Sequence, residues 1–100
     1  MIKHIVMIKM QDFPAAFEKK AKTDAIKNAL ETLPDKIKEI KFYQVGINIS
    51  VSPLAYDIVL ISEFDNIKDL NTYRDHSEHK KVLEIINEYK QDIKVVDFVV

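Results

Sequence analysis

Residues Leu70 to Tyr89 read LNTYRDHSEHKKVLEIINEY, and the way this stretch folds decides how the rest is arranged. From Ser77 onward, His79, Val82, Leu83 and Ile86 fall at i, i+3, i+4 and i+7, one stripe of an α-helix. Such a stripe turns His79 toward the core, where an imidazole needs a partner or a task. Tyr73 and His76 lie one to two turns upstream and belong with the same pocket. Asp65 and Asn66 are good N-caps for a helix starting near Ile67, and that helix breaks around Asp75 to Ser77 before restarting toward Tyr89. On either side stand two strand-like stretches, AYDIVLISEF over 55–64 and IKVVDFVV over 93–100. The second half of the chain therefore reads β-α-β.

The first half supplies the other elements. Residues 2–10 read as a strand with Ile2, His4, Val6, Ile8 and Met10 on one face and Lys3, Ile5, Met7 and Lys9 on the other. Both faces hold apolar residues, so both are expected to be covered. Asp12 can cap a helix over 14–33, with Pro14 in its first turn. Ile26, Ala29, Leu30 and Leu33 form its clearest stripe, continued by Phe17, Ala21 and Ala25. Pro34 and Asp35 stop it. Residues 38–51 alternate instead, with Tyr43, Val45, Ile47, Ile49 and Val51 on one side, so a long strand is expected. The chain's single glycine, Gly46, marks a bulge or a close backbone approach within it. Ser52 and Pro53 then turn the chain into the next strand.

The order β-α-β-β-α-β is the ferredoxin-like arrangement, an α+β fold. Its crossovers put both helices on one face of a four-stranded antiparallel sheet. One sheet face is then bare, although its strands carry apolar residues on both sides, Ile5 and Met7 among them. A bare apolar face of several hundred Å² is unusual for a monomer. Burying it at about 25 cal/mol/Å² gives a gross driving force of roughly 10–20 kcal/mol before association costs. The sequence therefore predicts a homodimer packed sheet to sheet.

Composition narrows the function. One hundred residues make one domain, 1–100. The net charge is −1 with charges interspersed, so no basic stripe gathers phosphates and no nucleic acid is expected. There is no cysteine, which excludes thiolate nucleophiles and cysteine-bound metal and fits a cytoplasmic protein. The apolar run from Ile5 to Ile8 is broken by Lys9, too short for a signal peptide or a membrane span. A lone glycine excludes both the dinucleotide fingerprint and the phosphate-binding loop. No GxSxG motif is present either.

Several stretches together resemble one family. IKHIVMIK, with Lys3 and His4, looks like the first strand of the stress-responsive A/B barrel domain, or Dabb, of the dimeric alpha-beta barrel superfamily. Leu33–Pro34 resembles the end of that family's first helix, and Gly46 before Asn48 the middle of its second strand. YDIVLISEFD is similar to its third strand, LNTYRDHSEHKKV to its tyrosine-histidine-histidine segment, and VVDF to its closing strand. The resemblance covers nearly the whole chain. It implies a ferredoxin-like protomer in a homodimeric α+β barrel, in agreement with the burial argument. A plant branch of the family includes a polyketide cyclase that works by aldol condensation without metal or cofactor. By that resemblance His79 would be the general base, Tyr73 would orient it, and His4 would line the same cavity. A further histidine of that enzyme is Asp57 here, and a tyrosine of its first helix falls near Ile26. Asp57, His76 and Ile26 are thus the expected ligand contacts beside the catalytic set.

Each site also has a plainer reading. His79 could be a core histidine satisfied by Tyr73, Asp57 or backbone, and His4 could form a structural pair with Asp57. His76 and His79 are spaced i, i+3, and a metal could use them with His4 or Asp57, but no HExxH-like frame surrounds them, so no metal is expected. No cofactor is expected either. Two functions stay open. One is a homodimer that binds a small apolar or aromatic molecule between sheet and helices. The other is a cofactor-independent cyclase or lyase with His79 as general base. A pocket onto which His79, Tyr73 and His4 converge would favour the enzyme, and a filled core with those groups bonded to one another would favour the plainer role.

Overall fold

The computed structural model describes residues 1–100. Its elements are β1 (Ile2–Met10), α1 (Ala16–Glu31), a short 3₁₀ turn (Leu33–Asp35), β2 (Phe42–Ile47), β3 (Ile58–Phe64), α2 (Ile67–Asp75), α3 (Ser77–Tyr89) and β4 (Lys90–Val99). The four strands form one sheet in the order β2-β3-β1-β4, and every neighbouring pair is antiparallel. This is the ferredoxin-like fold expected from the sequence, with the second helical region split in two. The split falls at His76, whose backbone is extended and closes α2 while opening α3. Asn66 caps α2 as expected, its side chain accepting from the Asp69 amide at 2.8 Å.

The register shows which residues meet the helices. Opposite one another on that side stand His4, Ser62 and Asp97, then Val6, Leu60 and Val95, then Ile8, Ile58 and Ile93. Helices α1, α2 and α3 close over this face with Ile26, Leu30, Leu70, Tyr73, Val82 and Ile86, all buried. Burial of these side chains removes apolar surface from water and holds helices to sheet. The cover stops short of the edge strand. Val95 and Val99 point to the helix side yet stay 49% and 76% exposed.

The opposite face has no cover. Ile5, Val59 and Ile61 are half-buried there only by their neighbours, while Met7, Phe42, Val96 and Phe98 are exposed. Gly46 belongs to this face and pairs with Val59 in an unbroken register, so it makes no bulge. It marks a close approach instead: a Cβ there would lie 3.1 Å from Val59 Cγ1.

Several boundaries differ from the sequence reading, that of β3 among them, which begins at Ile58 rather than at 55. The strand expected over 38–51 is confined to Phe42–Ile47. Asn48 ends it: its Nδ2 donates to the Ser50 carbonyl and its Oδ1 accepts from the Ser50 amide, and the Ser52 hydroxyl accepts from the Leu54 amide at 3.1 Å. Such side-chain bonds offer the backbone a turn in place of a ladder. Ile49 and Val51 therefore alternate without any face to bury them. Helix α1 begins at Ala16 rather than at 14, and Ala15, not Asp12, stands at its N-cap without a side-chain bond. Strand β4 begins at Lys90, directly after α3, three positions before the expected start.

Candidate functional site

Four polar groups gather under the helices near the β4 edge. His4 sits mid-strand on β1, and the antiparallel register puts Asp97 of β4 directly across from it. His4 Nδ1 hydrogen-bonds to Oδ1 of Asp97, and the Arg74 guanidinium bonds to its other oxygen. Burial pushes the Asp97 carboxyl up, but the bonds and charges of His4 and Arg74 overcome this and hold it below the usual carboxylate range. Asp97 is therefore an anion clamped from two sides. The expected partner of His4 was Asp57. The structure corrects this, because Asp57 lies just before β3, where its amide bonds to Ile8 O at 2.9 Å, at the far end of β1. There its carboxylate accepts from the Met10 amide at 2.7 Å and pairs with Lys19 at 2.9 Å.

His79 is held by backbone. Its Nδ1 lies 3.0 Å from the carbonyl oxygen of Arg74. A carbonyl only accepts, so Nδ1 carries the proton and Nε2 of the neutral ring keeps its lone pair. Burial pushes the imidazole pKa below its ordinary value. The Arg74 carbonyl opposes this, while the positive charges of His4, Arg74 and His76 reinforce it. Near neutral pH the ring is a free base.

Tyr73 meets His79 through its ring, not its hydroxyl. The two ring centroids are 4.4 Å apart at 46°, and the Tyr73 ring also contacts His4 and Phe64. Its hydroxyl turns the other way and hydrogen-bonds to the Tyr43 hydroxyl at 2.7 Å. Burial raises the Tyr73 pKa to about 12, with the Tyr43 bond and the Arg74 charge working against it, and burial raises Tyr43 as well. The sequence reading had Tyr73 orient His79. In the structure, the Arg74 carbonyl orients it, and Tyr73 forms a wall.

Between these groups lies a cavity of about 160 Å³. Val6, Ile8, Leu60, Ile93 and Val95 line it from the sheet, Leu30 from α1, and Leu83 and Ile86 from α3; His4, Tyr73, Arg74 and His79 complete the wall. His4, Tyr73 and His79 thus line one open space.

The remaining expected contacts lie elsewhere. Ile26 is fully buried in the core but is not part of the cavity wall. His76 accepts from the Glu78 amide at 3.1 Å as the cap of α3 and faces a surface depression with Asn71, Thr72 and Asp75. His76 and His79 therefore serve different sides of α3, and no three His, Asp or Glu side chains are arranged to hold a metal ion. Sequence reasoning missed Arg74 and Asp97. The signal for Asp97 was its position as a lone charge within VVDFVV, countable into register with His4 once β1 and β4 are paired. Arg74 carried no signal beyond standing next to Tyr73.

Comparison with known proteins gives a family and a fold. The family model described as the stress responsive A/B barrel domain matches residues 2–100. An uncharacterized protein of Streptomyces coelicolor is 28% identical over 89 residues, 89% of this chain and 90% of that protein. A solved Bacteroides fragilis structure, described as a dimeric protein of unknown function with a ferredoxin-like fold, is 37% identical with a TM-score of 0.88, covering 99% of this chain and 95% of that one. A dimeric ferredoxin-like protein of unknown function from Thermobifida fusca is 26% identical with a TM-score of 0.84, covering 99% and 90%.

Proposed function

Since the chain belongs to the stress-responsive A/B barrel domain family, matched over residues 2–100, we propose that it works as a homodimer holding a small apolar or aromatic molecule between sheet and helices. The observation that carries the binding reading is the cavity of about 160 Å³ lined by eight aliphatic side chains, with His4, Tyr73, Arg74 and His79 completing its wall. That volume resembles the roughly 150 Å³ apolar cavity that accepts benzene in an engineered protein. Mostly apolar walls with a few fixed polar groups are the general pattern of small-molecule sites.

The dimer reading rests on the bare sheet face. Met7, Phe42, Val96 and Phe98 are exposed there, next to Ile5, Val59 and Ile61, and contiguous exposed apolar patches mark interaction surfaces. The Bacteroides fragilis and Thermobifida fusca relatives are both described as dimeric. Two copies closing face to face would bury the patch and leave each cavity on its own protomer's helix side.

A second reading is favoured by the tautomer of His79. An imidazole with Nδ1 fixed on a carbonyl and a lowered pKa is set up to take a proton through Nε2. In a cofactor-independent cyclase or lyase that proton would come from carbon beside a carbonyl. The developing enolate would be met by the Arg74 guanidinium rather than by the Tyr73 hydroxyl, which Tyr43 occupies.

The binding reading is tested by native mass spectrometry of the purified protein, followed by an NMR titration with benzamide. A co-purified small molecule, or amide shifts clustered at Leu83, Ile86, Ile93 and Val95, supports it. A protein that carries nothing and shows no shift at millimolar benzamide overturns it.

A further inference from the structure

The cavity has a sealed end and an open end, and the charge sits at the open end. Tyr73, Ile8, Leu60 and Ile86 at its floor are at most 3% exposed. At its rim Val95 is 49% exposed and the Arg74 side chain 40%. No carboxylate lines the wall. Asp97 stands behind it with one oxygen on His4 and the other on Arg74.

Arg74 has more donors than its partners use. The guanidinium carries five N–H groups in a planar fork. Asp97 takes Nη2, and Asn71 Oδ1 lies at a long 3.4 Å from Nη1. The Asp97 contact pins the fork at the rim, so its remaining donors are ordered before a ligand arrives. A structural pair alone would need no apolar hollow beside it. Here a fixed cation caps an aliphatic chamber about the size of one small ring.

We propose that the cavity selects small monocarboxylic acids, with an aromatic or branched aliphatic body against Leu30, Leu83 and Ile93 and the carboxylate on Arg74 at the mouth. The inference rests on the binding reading above and adds the class of ligand to it. Geometry sets the size limit: a single ring fills the chamber and leaves its acid group at the rim, whereas a longer body would have to project past Val95. His79, fixed by its Nδ1 bond, then faces the ligand's body rather than its charge. Arg74 acts as the specificity-determining residue.

The test uses calorimetry on the full chain with benzoate and its neutral counterpart benzamide. At low salt the wild type should bind benzoate about tenfold or more tighter than benzamide, and added salt should narrow the gap. Arg74→Gln should remove the preference by weakening benzoate at least tenfold more than benzamide, and the circular dichroism spectrum reports whether the variant keeps its fold. Should the variant fail to fold, the wild-type preference and its salt dependence decide alone. Equal binding of both ligands overturns acid selection and leaves the binding reading standing. Binding of neither overturns both. A benzoate preference that survives Arg74→Gln overturns the role of Arg74.

Discussion

Arg74 acts on His79 through its backbone and on Asp97 through its side chain: its carbonyl accepts the His79 Nδ1 proton at 3.0 Å, while its guanidinium bonds to the carboxylate. One residue at the end of α2 thus fixes the free base of the cavity and the anion behind it. The break between α2 and α3 leaves that carbonyl within reach of a side chain five positions on. A continuous helix would have paired it with a backbone amide instead.

The charge state of His79 follows. Its pKa should lie below the ordinary 6.5, because burial penalises the imidazolium. The sign for stability is fixed by linkage. The unfolded chain binds the proton more readily than the folded one, so this residue's effect is to weaken the fold as pH falls through about 6.5, and His79→Gln should flatten that part of the profile. A two-dimensional NMR titration of the ring nitrogens measures the pKa and the tautomer together. A pKa above 6.5, or a proton on Nε2 in the neutral form, contradicts the assignment.

If the protein turns over a carbonyl substrate, His79→Ala should cost about 10²- to 10⁴-fold in rate and leave the assembly unchanged in size. Rate against variant, with gel filtration alongside, checks this. Activity that survives the change removes His79 as the base.

The pairing of His4 with Asp97 has its own consequence. Asp97→Asn should weaken the fold by about 1–2 kcal/mol in urea melts, since a partly buried charge-assisted bond is lost. The native carboxyl sits below its ordinary 3.8, so its stabilisation is present above that pH and fades as pH drops beneath it. The His4 ring resonances should move in Asp97→Asn and stay in place in Asp57→Asn. The opposite pattern would restore Asp57 as the partner.

Tyr73→Phe separates wall from chemistry. Loss of the 2.7 Å bond to Tyr43 leaves a buried hydroxyl short of a partner and should cost about 1–2 kcal/mol of stability. Affinity for benzamide should not change, because the hydroxyl points away from the cavity. A lost affinity with an intact fold would place that hydroxyl at the ligand after all.

Much of the fold could be read from periodicity, and the site could be read only in part. The alternation of Ile2, His4, Val6, Ile8 and Met10 and the stripe of Val82 and Ile86 both mark buried faces in the structure, because side-chain direction follows directly from strand and helix geometry. The same rule overextended β2: Ile49 and Val51 keep the alternation, but Asn48 and Ser52 turn the chain away from the sheet. The partner of His4 was hidden for a different reason. Strand β1 lies between β3 and β4, so Asp57 and Asp97 both stand on chain next to it, and only register places Asp97 opposite. Arg74 was hidden because a cation near a helix end is usually a solvated one, and its meaning comes from a carboxylate 23 positions on.

Two copies of the chain closing on their open sheet faces is the claim from which the rest follows, and sedimentation equilibrium tests it directly. At micromolar concentration the wild type should weigh twice the 11.6 kDa chain. Val96→Glu, at a position 60% exposed in the protomer, should bring it down to a single chain without unfolding it. A wild type that sediments as one 11.6 kDa chain would contradict the account.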